Sequence, residues 1–78
     1  MQTQTDTHPI AQTELDVTGM HCGSCERRIA AALARVPGVA RVRVDVPARR
    51  VHVEHAPTTP AASLIASIEA EGYAARAI

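Results

Sequence analysis

The sequence has almost no aromatic residues and no lysine. Tyr73 is the one aromatic residue among 78, and phenylalanine and tryptophan are absent. All eight basic residues are arginines, and eight acidic residues balance them. Nucleic-acid surfaces usually combine a basic patch with stacking aromatics, and the chain has neither. This composition argues against nucleic-acid binding.

The chain also lacks a long apolar run. No segment approaches the roughly 20 apolar residues that span a bilayer, and the opening MQTQTDTHPIAQ has no apolar signal-peptide core. We therefore expect a soluble cytoplasmic protein without membrane insertion. In that reducing compartment its two cysteines, Cys22 and Cys25, favour metal binding or catalysis over a structural disulfide.

Large aliphatic residues are scarce as well. The apolar fraction of 46% includes fifteen alanines, and the larger aliphatics are eight valines, five isoleucines and three leucines. A chain of this length forms one domain with a small core. We expect no large enzyme cleft and no enzymatic activity.

The first half of the chain predicts a strand, a helix and a second strand. Residues 1–12 show no periodicity and predict a mobile tail, which leaves residues 13–78 as the domain. ELDVT alternates as a half-buried strand. The helix places one apolar face toward the core and ends at Pro37 and Gly38, and the next strand alternates valines with charged residues. These inward positions are Ile29, Ala32, Leu33, Val36, Val42, Val44 and Val46.

The second half predicts the same kinds of element. PARR forms a turn, and Val51 and Val53 point inward from the following strand, so the two middle strands form a hairpin. Thr59 is predicted as the N-cap of a second helix, with Pro60 at its first position. A short last strand follows Gly72. This order packs as a four-stranded antiparallel sheet with both helices on one face, an α+β fold.

The two cysteines lie where the first strand passes into the first helix. The second half has APTTPA where the first has GMHCGSC, so this connection does not need cysteines to form. Cys22 is predicted to be accessible, and Cys25, four residues before Ile29, to be half-buried. A helix N-terminus favours the thiolate that binds metal or attacks a disulfide. Arg27 and Arg28 add positive charge and are interpreted as a solvated helix face.

Three kinds of chemistry fit two thiols at this spacing. Structural zinc needs four ligands, which would require His21 and either His52 or His55 to converge on the cysteines. A dithiol redox centre resembles the thioredoxin arrangement, but such a domain is longer and usually has an aromatic residue before the first cysteine. Cu(I) is a soft ion that two thiolates can satisfy, leaving room for a third from a visiting protein.

The segment GMHCGSC resembles the GMxCxxC signature of the heavy-metal-associated domain family. The resemblance extends over about residues 14–78, and VPGV and EGY are similar to that family's usual helix endings. It implies a ferredoxin-like βαββαβ fold. The family includes copper chaperones, amino-terminal domains of copper and zinc P-type ATPases, and mercury carriers, which exchange metal through three-thiolate intermediates.

The resemblance also implies roles for individual residues. Cys22 and Cys25 would be the metal ligands, Met20 a buried support of the loop, and Tyr73 a neighbour of the site, as in bacterial copper chaperones. Zinc-transporting relatives often have Asp before the first cysteine. His21 stands there in this chain, which weakens the zinc alternative, and we expect its side chain to point away from the metal. His8, His52 and His55 are interpreted as surface residues.

The sequence hypothesis is a Cu(I) metallochaperone that delivers copper to a copper-transporting P-type ATPase by thiolate exchange. We expect a monomer without metal, and metal-bridged dimers can form when two such sites meet. The alternatives are an excised amino-terminal ATPase domain and a Hg(II) or Zn(II) carrier. Two further classes are a dithiol oxidoreductase and an interaction domain that does not use its cysteines.

Overall fold

The computed structural model describes residues 10–20 and 23–78, which form six elements in the predicted order. Four of these are strands and two are helices. The elements are β1 (Ala11–Thr18), α1 (Gly23–Ala34), β2 (Val39–Asp45), β3 (Arg50–His55), α2 (Ala61–Ala70) and β4 (Ala74–Ala77).

The strands form one antiparallel sheet in the order β2-β3-β1-β4. Each helix connects two strands that are not neighbours: β3 lies between β1 and β2, and β1 lies between β3 and β4. Both helices cover the same face of the sheet. The predicted α+β architecture is confirmed, and it places the β1–α1 connection at one end of the two central strands.

The core lies between the sheet and the helices. Alternate residues of the central strands point inward, and one face of each helix covers them. The predicted inward face of α1 and the inward valines of β3 are confirmed. The fully buried side chains are Leu15, Val17, Ile29, Leu33, Val51, Val53, Leu64 and Ile68.

The outer face of the sheet carries polar and charged side chains that contact one another in pairs. His52 Nδ1 lies 3.1 Å from Glu14 Oε1 on the neighbouring strand, and Arg76 Nε lies 3.3 Å from Asp16 Oδ2. Such exposed pairs contribute at most about 1 kcal/mol each. The outer face of the sheet is therefore exposed to solvent and does not form a second hydrophobic core.

The first strand is longer than predicted. It begins at Ala11, and Ala11 and Gln12, which were assigned to the tail, pair with His55 and Glu54 of β3. The local sequence pattern does not predict this extension of β1, because backbone pairing with β3 is what keeps these two residues in the strand. Ile10 precedes the strand and is exposed, and residues 1–9 of the predicted tail lie outside the described residues.

The start of the second helix also differs from the prediction. Pro60 is the N-cap, with φ −73° and ψ 144°, and α2 begins at Ala61. Thr59 is not the N-cap, since its hydroxyl donates to the carbonyl oxygen of Pro37 at 3.0 Å. Thr59 is buried, so this bond ties the β3–α2 connection to the turn after α1.

Candidate metal centre

Cys25 lies in the first turn of α1. Its side chain is half-buried and packs against the core cluster, as the sequence predicted. Unpaired backbone N–H groups at a helix N-terminus favour negative charge, so this position suits a thiolate. Cys22 and His21 lie outside the described residues, and the two-cysteine ligand set therefore stays a prediction.

Met20 and Gly19 form the described part of the connection before α1. Met20 is 6% exposed and belongs to the core cluster, so the chain is anchored just ahead of the cysteines. Gly19 has φ +100°, and a Cβ built there would lie 3.2 Å from Tyr73 Cδ1. The glycine therefore permits both the backbone turn and the close approach of the tyrosine ring.

Tyr73 follows α2 and contacts the start of α1. Its hydroxyl interacts with both Cys25 and Arg28. The bond to Cys25 raises the pKa of Tyr73, because it stabilises the protonated phenol as a donor, and the bond from Arg28 opposes this more weakly. The phenol therefore lies beside the Cys25 sulfur.

The two arginines of the first turns differ in their contacts. Hydrogen bonding to Tyr73 raises the pKa of Arg28, and attraction to Tyr73 and Glu71 adds to this. Arg27 extends toward Gly23 instead. Both side chains are exposed, as predicted for a solvated helix face, and Arg28 in addition interacts with Tyr73. The helical i, i+3 spacing of Cys25 and Arg28 could have signalled that they share a face.

The predicted surface position of His55 is wrong. The alternation that buries Val51 and Val53 also turns His55 inward, and its exposed fraction is 4%. His55 Nδ1 donates to the carbonyl oxygen of Ala56 at 2.9 Å, and Nε2 lies 2.7 Å from Thr13 Oγ1. Both ring nitrogens are engaged, so neither offers a free lone pair to a metal.

His52 and His55 do not approach Cys25. His55 pairs with Ala11 at the start of β1, whereas α1 follows the end of that strand, a separation of roughly 20 Å along an extended strand. His52 is half-buried on the outer face, beside Glu14. A zinc shell that recruits either histidine is therefore not supported. His8 lies outside the described residues.

Other possible sites offer little chemistry. Within residues 10–20 and 23–78, no three histidine, cysteine or carboxylate side chains are grouped to hold a metal ion. A groove of about 430 Å³ between the helices is lined by alanine, serine and valine with Pro37, Arg35 and Glu71, but by no cysteine or histidine. No described helix is long and apolar enough to cross a membrane.

The family model of the heavy-metal-associated domain matches residues 14–74. This chain belongs to the heavy-metal-associated domain family. The recognition from GMHCGSC is confirmed, and so is the ferredoxin-like fold that it implied. The matched residues include residues 14–18 of β1, both helices and the cysteine loop, so the family assignment covers the structural frame of the candidate centre.

Three known proteins illustrate the likeness. Copper-transporting ATPase 1 of Rhizobium meliloti (strain 1021) is 34% identical over 87% of this chain, and mercuric reductase of Acidithiobacillus ferrooxidans is 38% identical over 81%. The matches span 8% and 12% of those proteins. The solved structure of the CopZ metallochaperone has a TM-score of 0.82 and 28% identity, and it covers 85% of this chain and 100% of CopZ. The heavy-metal-associated domain thus resembles both a whole small protein and small parts of large ones.

Proposed function

We propose that this heavy-metal-associated domain binds Cu(I) through Cys22 and Cys25 and passes it on by ligand exchange. The observation that carries the proposal is the position of Cys25: half-buried at the N-terminus of α1, beside a phenol donor. No histidine or carboxylate cluster of the described residues adds ligands there. Two soft thiolates with few further ligands suit Cu(I) better than a four-coordinate zinc ion.

The transfer step exchanges one sulfur ligand for another. A partner thiolate forms a bond to Cu(I) while the bond to Cys22 breaks, and a second exchange then releases Cys25. We place Cys25 last because its side chain is half-buried and packed against the core. Copper stays Cu(I) throughout, so the step needs no oxidant or reductant. The cytoplasm, where thiols stay reduced, is the proposed compartment.

The proposed recipient is a copper-transporting P-type ATPase. Support comes from the likeness to Copper-transporting ATPase 1 and to the CopZ metallochaperone. If this chain is instead a part of such an ATPase, the same site would receive copper from a chaperone. The open reading frame around the coding sequence distinguishes these two roles.

Metal selectivity tests the proposal. The apo protein is offered Cu(I), Zn(II) and Hg(II) in competition under anaerobic, reducing conditions, with the bound metal quantified after gel filtration. The proposal predicts that Cu(I) displaces Zn(II), with a monomer at low loading and metal-bridged dimers as the only larger species. Zinc held more tightly than Cu(I) would contradict it. Hg(II) retained against excess Cu(I) would favour a mercury carrier, which the likeness to mercuric reductase motivates.

A second assay separates the carrier from a redox enzyme. We expect the metal-free protein to reduce a disulfide substrate no faster than a small dithiol at equal concentration. Robust turnover without metal would favour a dithiol oxidoreductase. If substitution of both cysteines by serine left binding to a copper ATPase domain unchanged with and without Cu(I), the chain would be an interaction domain that does not use its thiols.

A further inference from the structure

The strand β2 lies at one end of the sheet. Among residues 10–20 and 23–78, its one neighbouring strand is β3, so the N–H and C=O groups on its other side are not paired with a strand there. The strand at the opposite end, β4, has four residues, whereas β2 has seven. An extended segment of another protein can pair with such an edge through its backbone. The β2 edge is therefore the longer of the two edges that this sheet presents to a partner.

The inward valines of β2 are only partly covered. Val42, Val44 and Val46 pack against the core but are half-buried, whereas Val51 and Val53 on the adjacent strand are fully buried. Directly opposite residues on paired strands point to the same face of the sheet. A strand added beside β2, with apolar residues at every second position, would therefore cover the exposed sides of these valines. Removing that apolar surface from water favours binding.

The outward positions of β2 determine which charge such a strand should carry. Arg41 and Arg43 are exposed, and within the described part of the chain neither forms an ion pair. Arg43 stands opposite His52, but the ring of His52 contacts a carboxylate of β1 instead. On the short edge, Arg76 of β4 is paired with Asp16. The long edge thus carries two arginines that have no carboxylate partner among these residues.

We propose that the β2 edge binds an extended acidic segment of another protein, which adds to the sheet as a further strand. Carboxylates two positions apart on that segment lie opposite Arg41 and Arg43, and the apolar residue between them covers Val42. Opposite charges at directly facing positions stabilise strand pairing, whereas like charges oppose it. The two arginines therefore favour an acidic segment over a basic one. This inference does not rest on the proposed function, because β2 contains neither cysteine.

A titration with short peptides tests the proposal. The isotopically labelled, metal-free protein is titrated with a capped peptide of alternating valines in which two glutamates flank one valine. We expect the amide signals of β2 to shift and their hydrogen exchange to slow, while those of β4 stay unchanged. Peptides with glutamine or lysine in place of both glutamates should bind at least about tenfold more weakly. A glutamate peptide with an N-methylated backbone should not bind, because it cannot pair with the edge.

The chain offers a charge-matched control for the two arginines. Arg41→Gln with Arg43→Gln removes both unpaired cations of the edge, whereas Arg35→Gln with Arg76→Gln removes two arginines that have carboxylate partners elsewhere. We expect the first double variant to bind the glutamate peptide about tenfold more weakly, and the second to stay within about twofold of the unsubstituted protein. High salt should remove most of this difference. All four positions are exposed, so the amide spectra should show that both variants are folded.

Any of five outcomes would overturn the proposal. The glutamate peptide could fail to bind, or its shifts could lie outside β2. Equal weakening by the two double variants would show a general effect of net charge. Unchanged binding of the N-methylated peptide would show that the segment does not pair with the backbone. Concentration-dependent shifts of the β2 amides in the protein alone would mean that a second copy occupies the edge.

The titration is independent of copper. It uses the metal-free protein, and Cu(I) uptake is measured separately. A protein that binds the glutamate peptide at β2 but takes up no Cu(I) would sink the proposed function and support the docking edge. A protein that takes up Cu(I) but does not bind the peptide would do the reverse.

Discussion

The two strand-to-helix connections of this domain occupy equivalent places in its two halves, but they are closed in different ways. After β3, the connection is held by its own polar groups: Thr59 N–H donates to Ala56 O at 2.9 Å, and Ala56 N–H to Gly38 O at 2.8 Å. The side chains of Thr59 and His55 are buried there and bonded. The connection after β1 is anchored instead by Met20 and flanked by Tyr73, with Cys25 at the helix start.

The hydrogen bonds identify the β3–α2 connection as the more structural of the two. A buried polar group stabilises a fold only when its hydrogen bonds are made, and the β3–α2 connection makes them with backbone carbonyls on neighbouring turns. The β1–α1 connection instead places a thiol and a phenol beside each other at the edge of the core. We therefore expect the two connections to respond differently to substitution, one in stability and the other in metal exchange.

Gly38→Ala should give the largest loss of stability. Gly38 has φ +95°, and a Cβ there would collide with Thr59 Oγ1. Thr59 can yield only by giving up its bond to Pro37, so we expect a loss of about 3 kcal/mol in the free energy of unfolding. Gly72→Ala is the control, since its φ of +97° is similar but no atom lies within 4 Å of its Cβ position.

Urea unfolding of the metal-free proteins measures both changes. We expect a loss of about 1 kcal/mol for Gly72→Ala, the cost of the left-handed backbone alone. Similar losses in the two variants would mean that the contact between Gly38 and Thr59 contributes nothing.

The loss of stability in Gly19→Ala should lie between the losses in Gly38→Ala and Gly72→Ala. This substitution should also affect the candidate metal centre. Its φ is +100°, and the new Cβ would press on the Tyr73 ring. We expect a loss of about 2 kcal/mol in unfolding free energy together with a change in Tyr73 emission. Gly72→Ala should leave that emission unchanged. A Gly19→Ala variant with normal emission would show that the ring does not depend on this close approach.

Thr59→Val tests the polar closure of the β3–α2 connection with a smaller change. It replaces the hydroxyl by a methyl group and leaves the Pro37 carbonyl without this donor, at a cost of about 1.5 kcal/mol. Thr58→Val, at the exposed neighbouring position, should cost less than about 0.5 kcal/mol. Copper release should be unchanged in both. A slower or faster release in Thr59→Val would mean that the two connections are coupled.

Most of the frame could be predicted from the sequence because it follows from local rules. Valines at every second position and a single apolar helix face determine which sides are buried, while Pro37 and Gly38 end the first helix. The features that the sequence did not predict depend on hydrogen-bond partners that are distant along the chain. The local sequence around Thr59 resembles an N-cap. Its hydroxyl instead donates a hydrogen bond to the carbonyl oxygen of Pro37, 22 residues earlier. The burial of His55 follows the strand alternation, yet its partner Thr13 lies on another strand.

The candidate centre was predicted less completely than the fold. The position of Cys25 follows from the motif and the helix that starts there. The contact of Arg28 with Tyr73 depends on how the α2–β4 segment packs against α1, which no local pattern encodes.

We infer that the two thiols serve metal binding and are not needed for the fold. Anaerobic Cu(I) titration against a competing chelator, run with the unsubstituted protein and with Cys22→Ser, Cys25→Ser and the double variant, tests it most directly. We predict one tightly bound Cu(I) per unsubstituted chain, a loss of affinity of at least about 100-fold in each variant, and apo unfolding free energies within about 1 kcal/mol of one another. Copper bound equally well by the double variant, or a double variant that does not fold, would contradict the account.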